Sequence, residues 1–144
     1  MKSLNNTLLL SSNIIAFFQR AMILTIITFF SLSGCAKYSD EVQANLEKLK
    51  STKACPGCDL TGIELRDFDL KNADLSSANL TGANLGKSDL TGANLKDTNL
   101  TDADLRGVNL TDAILINTNL SGVKLSYSNI NGAEISRAVL KDGQ

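Results

Sequence analysis

The chain has 144 residues, 14 basic and 15 acidic side chains, a net charge of -1, and no histidine or tryptophan. Without histidine, the Ser-His and Cys-His schemes of nucleophilic catalysis are excluded. The mildly acidic balance gives no basic patch for a phosphate backbone, and the length is that of one domain.

Residues 1–34 stand apart in composition. They carry Lys2 and Arg20 and no acid, which leaves 12 basic and 15 acidic groups, hence -3, for the remainder. An apolar run succeeds Arg20, from Ala21 to Leu32. It has the length of a signal-peptide core and is too short to span a bilayer, which takes about 20 residues. It ends in Leu32-Ser33-Gly34-Cys35. This tetrad resembles the bacterial lipobox. The resemblance implies cleavage before Cys35, lipidation of Cys35, and a domain anchored in the cell envelope, facing the periplasm or the cell exterior. Buried acyl methylenes anchor at about 0.8 kcal/mol each. The alternative is an uncleaved N-terminal anchor with Cys35 as a bystander. The leader before Arg20 is long and has apolar patches of its own, at Leu8-Leu9-Leu10 and from Ile14 to Phe18.

Residues 35–57 then form a tether and a cap. Asp40 can N-cap a helix, with Gln43 at the reciprocal position. Val42, Leu46 and Leu49 make one apolar stripe on an otherwise charged segment. The helix is expected to end near Lys53, with Lys48, Lys50 and Lys53 at its negative end. Cys55-Pro56-Gly57-Cys58 joins this helix to the C-terminal stretch of the chain. The two cysteines can be buried thiols or a local disulfide in an oxidising compartment. A thioredoxin-like redox pair lacks its βαβ surroundings. Zinc lacks histidine and a second cysteine pair, so no metal site is expected.

The stretch 58–142 repeats every five residues. Leucine occupies each fifth position from Leu60 to Leu125, and Ile130, Ile135 and Leu140 continue the series. A small residue often stands two before it, as at Ala73, Ala78, Ala83 and Ala93. A period of five is neither helix nor lone strand. It marks a solenoid whose units bury their apolar side chains only by stacking. The runs Ala73-Asp74-Leu75-Ser76-Ser77, Ala78-Asn79-Leu80-Thr81-Gly82 and Ala93-Asn94-Leu95-Lys96-Asp97 resemble the pentapeptide-repeat unit A(D/N)LXX.

The resemblance implies an all-β, right-handed, four-sided β-helix with four pentapeptides per coil. Slightly more than four coils would stand about 20 Å tall at a strand spacing of roughly 4.8 Å. Residues twenty apart then stack. Ala73, Ala93, Ala113 and Ala133 form a uniform column, and Phe68, Ser88, Val108 and Ser128 alternate large and small at constant volume. Outside, Asp59, Asn79, Asn99 and Asn119 can form a hydrogen-bonding ladder, while Asp69 and Asp89 stack like charges.

Ile114 and Ile116 take slots usually held by polar residues, and Tyr127 one usually held by Gly or Asp. These three are the candidate partner contacts. The C-terminal coil has no evident cap, so end-to-end pairing of two copies is open to it. No catalytic residue, cofactor site or metal site emerges, because the carboxylates are scattered over convex faces. The expected role is a lipid-anchored, non-catalytic structural or protein-interaction module. The resemblance also offers a second class, DNA-mimicking proteins that bind and protect DNA gyrase from quinolones. The four walls sum to -2, +1, -2 and -1, which is no DNA-like field; nucleic acid is not an expected partner.

Overall fold

A computed structural model describes residues 37–140. The lipobox Leu32-Ser33-Gly34 and Cys35 lie outside the described residues. The chain divides into two units, the second of which is residues 41–144.

The second unit is a right-handed quadrilateral β-helix. Every backbone bridge is parallel and joins residues twenty apart, from Ala54↔Asp74 to Asn119↔Val139. Four pentapeptides therefore make one coil, and the ladder begins at Ala54, just ahead of Cys55. Strand segments are single bridge positions separated by tight corners. The corners from Cys55–Cys58 to Ile130–Ala133 are closed by a bond between residues three apart, as Ala83 N to Leu80 O at 3.0 Å and Ala103 N to Leu100 O at 2.9 Å. The second residue after each central Leu has a positive φ, whether Gly62 (65°), Asn72 (56°) or Asp97 (58°). This is the type II signature, which favours Gly and Asn, with Asp the next most tolerant. The slots after Leu are thus polar and small for a backbone reason as well as for solvation.

The core is one leucine column per wall. Leu60, Leu80 and Leu100 on one wall and Leu65, Leu85 and Leu105 on the next are fully buried. The small slots between them hold Ala73, Ala83, Ala93 and Ala113. Phe68 opens its column half-buried, and Ser88 and Val108 are buried above it. Three buried hydroxyls stand in small slots, and all are satisfied. Thr98 and Thr118 donate to Leu75 O and Leu95 O at 2.8 Å, and Ser88 to Leu85 O at 2.5 Å.

Helix α1 (Asp40–Thr52) precedes the solenoid and buries Val42, Leu46 and Leu49. It includes Asp40 itself, so the capping position falls at Ser39. Lys53 ends it with φ 52° and donates its N–H to Leu49 O at 2.8 Å, a left-handed C-terminal stop.

Candidate interaction surface

The two ends of the solenoid differ. At the N-terminal end most of the first coil is dry: Cys55, Leu60, Ile63 and Leu65 have no exposure. Helix α1 covers it. Asn45 Nδ2 donates to Asp59 O at 3.0 Å, and Lys48 Nζ lies 3.8 Å from Cys58 Sγ. Cys55 and Cys58 are joined by a disulfide across the corner, with 5.4 Å between Cα atoms.

At the other end the last described coil is open. Leu110 and Leu115 are 1 % exposed, but Ile130 and Ile135, one coil later, are 49 % and 45 % exposed. Leu125, Val139 and Leu140 are exposed with them. Among the described residues, no backbone carbonyl accepts the N–H of Ile130 or Ile135. An apolar disc and an unpaired sheet edge thus coincide, the combination that invites pairing with another chain. Lys124 and Glu134, both exposed, stand on opposite walls of this coil.

The three residues singled out by the repeat pattern fall differently. Tyr127 projects almost fully into solvent from a corner of the open coil, with φ 64°. Ile114 and Ile116 are half-buried on one wall. Ile114 is tied into the ladder through Ala93 O at 2.9 Å and Leu95 N at 2.8 Å. The periodicity alone did not single out the exposed disc of Leu125, Ile130 and Ile135. They keep the inward register, yet are exposed in the last described coil.

Several wall carboxylates are paired locally. Asp69 and Asp89 stack, but Lys53 Nζ lies 3.0 Å from the first carboxylate and Lys71 Nζ 3.2 Å from the second. The Arg106 side chain, doubly bonded to Asp104, holds that carboxyl down at about 2. Among the described residues no cluster of His, Cys, Asp and Glu could hold a metal ion, and no helix is long and apolar enough to cross a membrane.

The family model for Pentapeptide repeats matches residues 57–92, 69–107 and 103–142. Three solved structures illustrate the relationship. HetL, a pentapeptide repeat protein involved in heterocyst differentiation regulation from the cyanobacterium Nostoc sp. strain PCC 7120, is 29% identical over 63% of this chain and 50% of its own, with a TM-score of 0.32. A pentapeptide repeat protein of the Arabidopsis thaliana thylakoid lumen is 27% identical over 77% and 79%, with a TM-score of 0.33. QnrB1, a plasmid-mediated fluoroquinolone resistance protein, is 15% identical over 59% and 56%, with a TM-score of 0.29. The chain thus spans half the length of HetL. It matches no curated protein.

Proposed function

The chain belongs to the pentapeptide-repeat family, and on that premise we propose that it is a lipoprotein, anchored through acylated Cys35, that holds a non-catalytic interaction module outside the cytoplasm. Pentapeptide-repeat proteins are generally structural or interaction modules. The observation that carries this reading is the contrast between the two ends. The end that lies close to Cys35 in sequence is sealed by α1, and the distant end presents Leu125, Ile130, Ile135 and Leu140 to solvent.

The partner that best fits the open end is a second copy of this chain. A two-fold axis crossing the open coil from the Leu140 wall to the Ile130 wall would superpose the Leu125 wall of one copy on the Ile135 wall of the other. The facing strands would then run antiparallel, so both sheet edges could find partners. Lys124 of each copy would meet Glu134 of the other, because these unlike charges lie on opposite walls. The apolar discs would be buried together, with Tyr127 at the rim. Ile114 and Ile116 form a smaller lateral patch for another protein.

Sedimentation of the domain starting at Ala36 tests the pairing. A dimer is expected for the wild type. Lys124→Glu should weaken it by placing like charges opposite each other, and adding Glu134→Lys should restore it. A wild type that stays monomeric, or a Lys124→Glu variant that pairs as well as the wild type, would overturn the arrangement. Mass spectrometry of membrane-purified protein tests the anchor, with acylated Cys35 as the expected N-terminus; an intact leader would reject it.

A further inference from the structure

We propose that Cys55–Cys58 is a reversible thiol–disulfide exchange site, in which Cys58 is the attacking thiolate and Cys55 the resolving thiol. The first observation is that the cysteine corner has all the backbone bonds of corners that lack a disulfide. Residues 55 and 58 occupy the same corner positions as Leu75 and Ala78, or Leu80 and Ala83. Those corners are closed by a backbone bond alone, and the cysteine corner has the same bond, from Cys58 N to Cys55 O at 3.2 Å. Its flanks are also held independently, by Cys55 N to Asp74 O at 2.7 Å, Gly57 N to Ser76 O at 2.8 Å, and Asn79 N to Cys58 O at 2.9 Å. A bridge between residues three apart closes too small a loop to constrain the unfolded chain much.

The second observation is that the reduced state has its partners in place. Lys48 Nζ stands 3.8 Å from Cys58 Sγ, where an ammonium would stabilise a thiolate. Asn45 O stands 3.5 Å from Cys55 Sγ, where a thiol could donate to it. The nearest acid in sequence, Asp59, has Oδ1 bonded to the amide and hydroxyl of Thr61. Access is also unequal: Cys55 has no exposure and Cys58 is 7% exposed. A charged partner at Cys58 Sγ and a neutral partner at Cys55 Sγ, with what small exposure there is confined to residue 58, is the asymmetry that favours exchange.

The step balances with a disulfide oxidant of the glutathione class. The Cys58 thiolate attacks one sulfur of the oxidant. A mixed disulfide forms, the oxidant's own S–S bond breaks, and the first thiolate leaves and takes a proton from water. Cys55 gives its proton to solvent and attacks Cys58 Sγ, closing the internal bond and releasing the second thiolate. Two electrons pass from the cysteine pair to the oxidant, and a dithiol or glutathione reverses the sequence.

The test uses the full chain extracted from membranes and equilibrated in glutathione redox buffers near pH 8. Alkylation quenches the exchange, and the tryptic peptide 54–66 holds both cysteines, apart from Cys35. The pair should interconvert fully with no change in circular dichroism. In the reduced protein Cys58 should alkylate before Cys55. Lys48→Met should shift the equilibrium toward the disulfide on the order of fivefold, and Lys50→Met should leave it unchanged. A disulfide that glutathione cannot open, a fold lost on reduction, or a Lys48→Met variant indistinguishable from the wild type would each overturn the proposal.

Discussion

Asn99 Nδ2 donates to Thr81 Oγ1 at 3.0 Å, one coil below. Thr81 Oγ1 in turn donates to Asn79 Oδ1 at 2.6 Å. The same relay links Asn79 to Thr61 at 2.9 Å and, on the opposite wall, Asn109 to Thr91 at 2.9 Å. The outer ladder therefore runs amide to hydroxyl to amide. It is not a simple stack of Asn side chains, and the Thr one residue after Leu is part of it. Thr81→Ala removes a hydroxyl that donates once and accepts once. It should lower stability by about 1–2 kcal/mol. Thr81→Ser should recover most of that loss, and urea unfolding compares them. Equal losses in both variants would show that the threonine methyl group, and not the relay, carries the effect.

Leu100 is fully buried with coils above and below it, whereas Leu140 is 67% exposed in the open coil. Leu100→Ala should cost roughly 2–5 kcal/mol, since the stacked coils cannot collapse onto the cavity. Leu140→Ala should cost much less. A loss at Leu140 matching that at Leu100 would mean that the terminal coil is covered in solution, which a dimer would also produce. Repeating the measurement over a range of protein concentrations separates the two, because only pairing makes Leu140 concentration-dependent.

The five-residue period made the inward register of every central Leu legible. The stripe Val42, Leu46 and Leu49 did the same for α1. What stayed hidden depends on neighbours twenty residues away. Ile114 looked prominent beside its own pentapeptide, yet Asn94 below and Glu134 above flank it in the ladder. Ile130 looked like any other core residue, yet it is 49% exposed. Thr98 and Thr118 sit in small slots where Ala is usual. Nothing in their own pentapeptides signals that a carbonyl one coil back accepts the hydroxyl.

Tyr127 is a bulky residue in the left-handed region, with φ 64° and almost no contact to repay the strain. The equivalent corners use Gly107 and Lys87 on the same wall and Asn117 on another. Tyr127→Asn should stabilise the isolated domain by a few tenths to about 1 kcal/mol, because Asn tolerates this conformation far better. A loss of stability on that substitution, seen as a lower urea midpoint, would show that the ring makes a contact in solution, and the rim of the open coil is where to look for it.

Asp104 is one of four carboxylates that contribute to the acid response. Its carboxyl is held at about 2, against an ordinary value of 3.8, first by the Arg106 side chain and also by the Arg106 N–H at 3.1 Å. Asp69 is lowered in the same direction, chiefly by Lys53, Asp74 chiefly by Ser76, and Asp89 chiefly by Thr91. A depressed folded value means that the unfolded chain takes up the proton first. The stabilisation is therefore complete above the unfolded value, and it is lost as the pH falls from about 3.8 toward 2. The contribution of each group is modest, because the Arg106 and Asp69 side chains are well exposed to screening water. Urea midpoints measured down this range should fall steadily for the wild type. Asp104→Asn keeps an oxygen to accept the Arg106 amide but cannot titrate, so its midpoint should start lower at neutral pH and fall less on acidification. Curves that run parallel for the two proteins would mean that Asp104 titrates alike in the folded and unfolded chains, and that its pairing with Arg106 contributes nothing to the acid response.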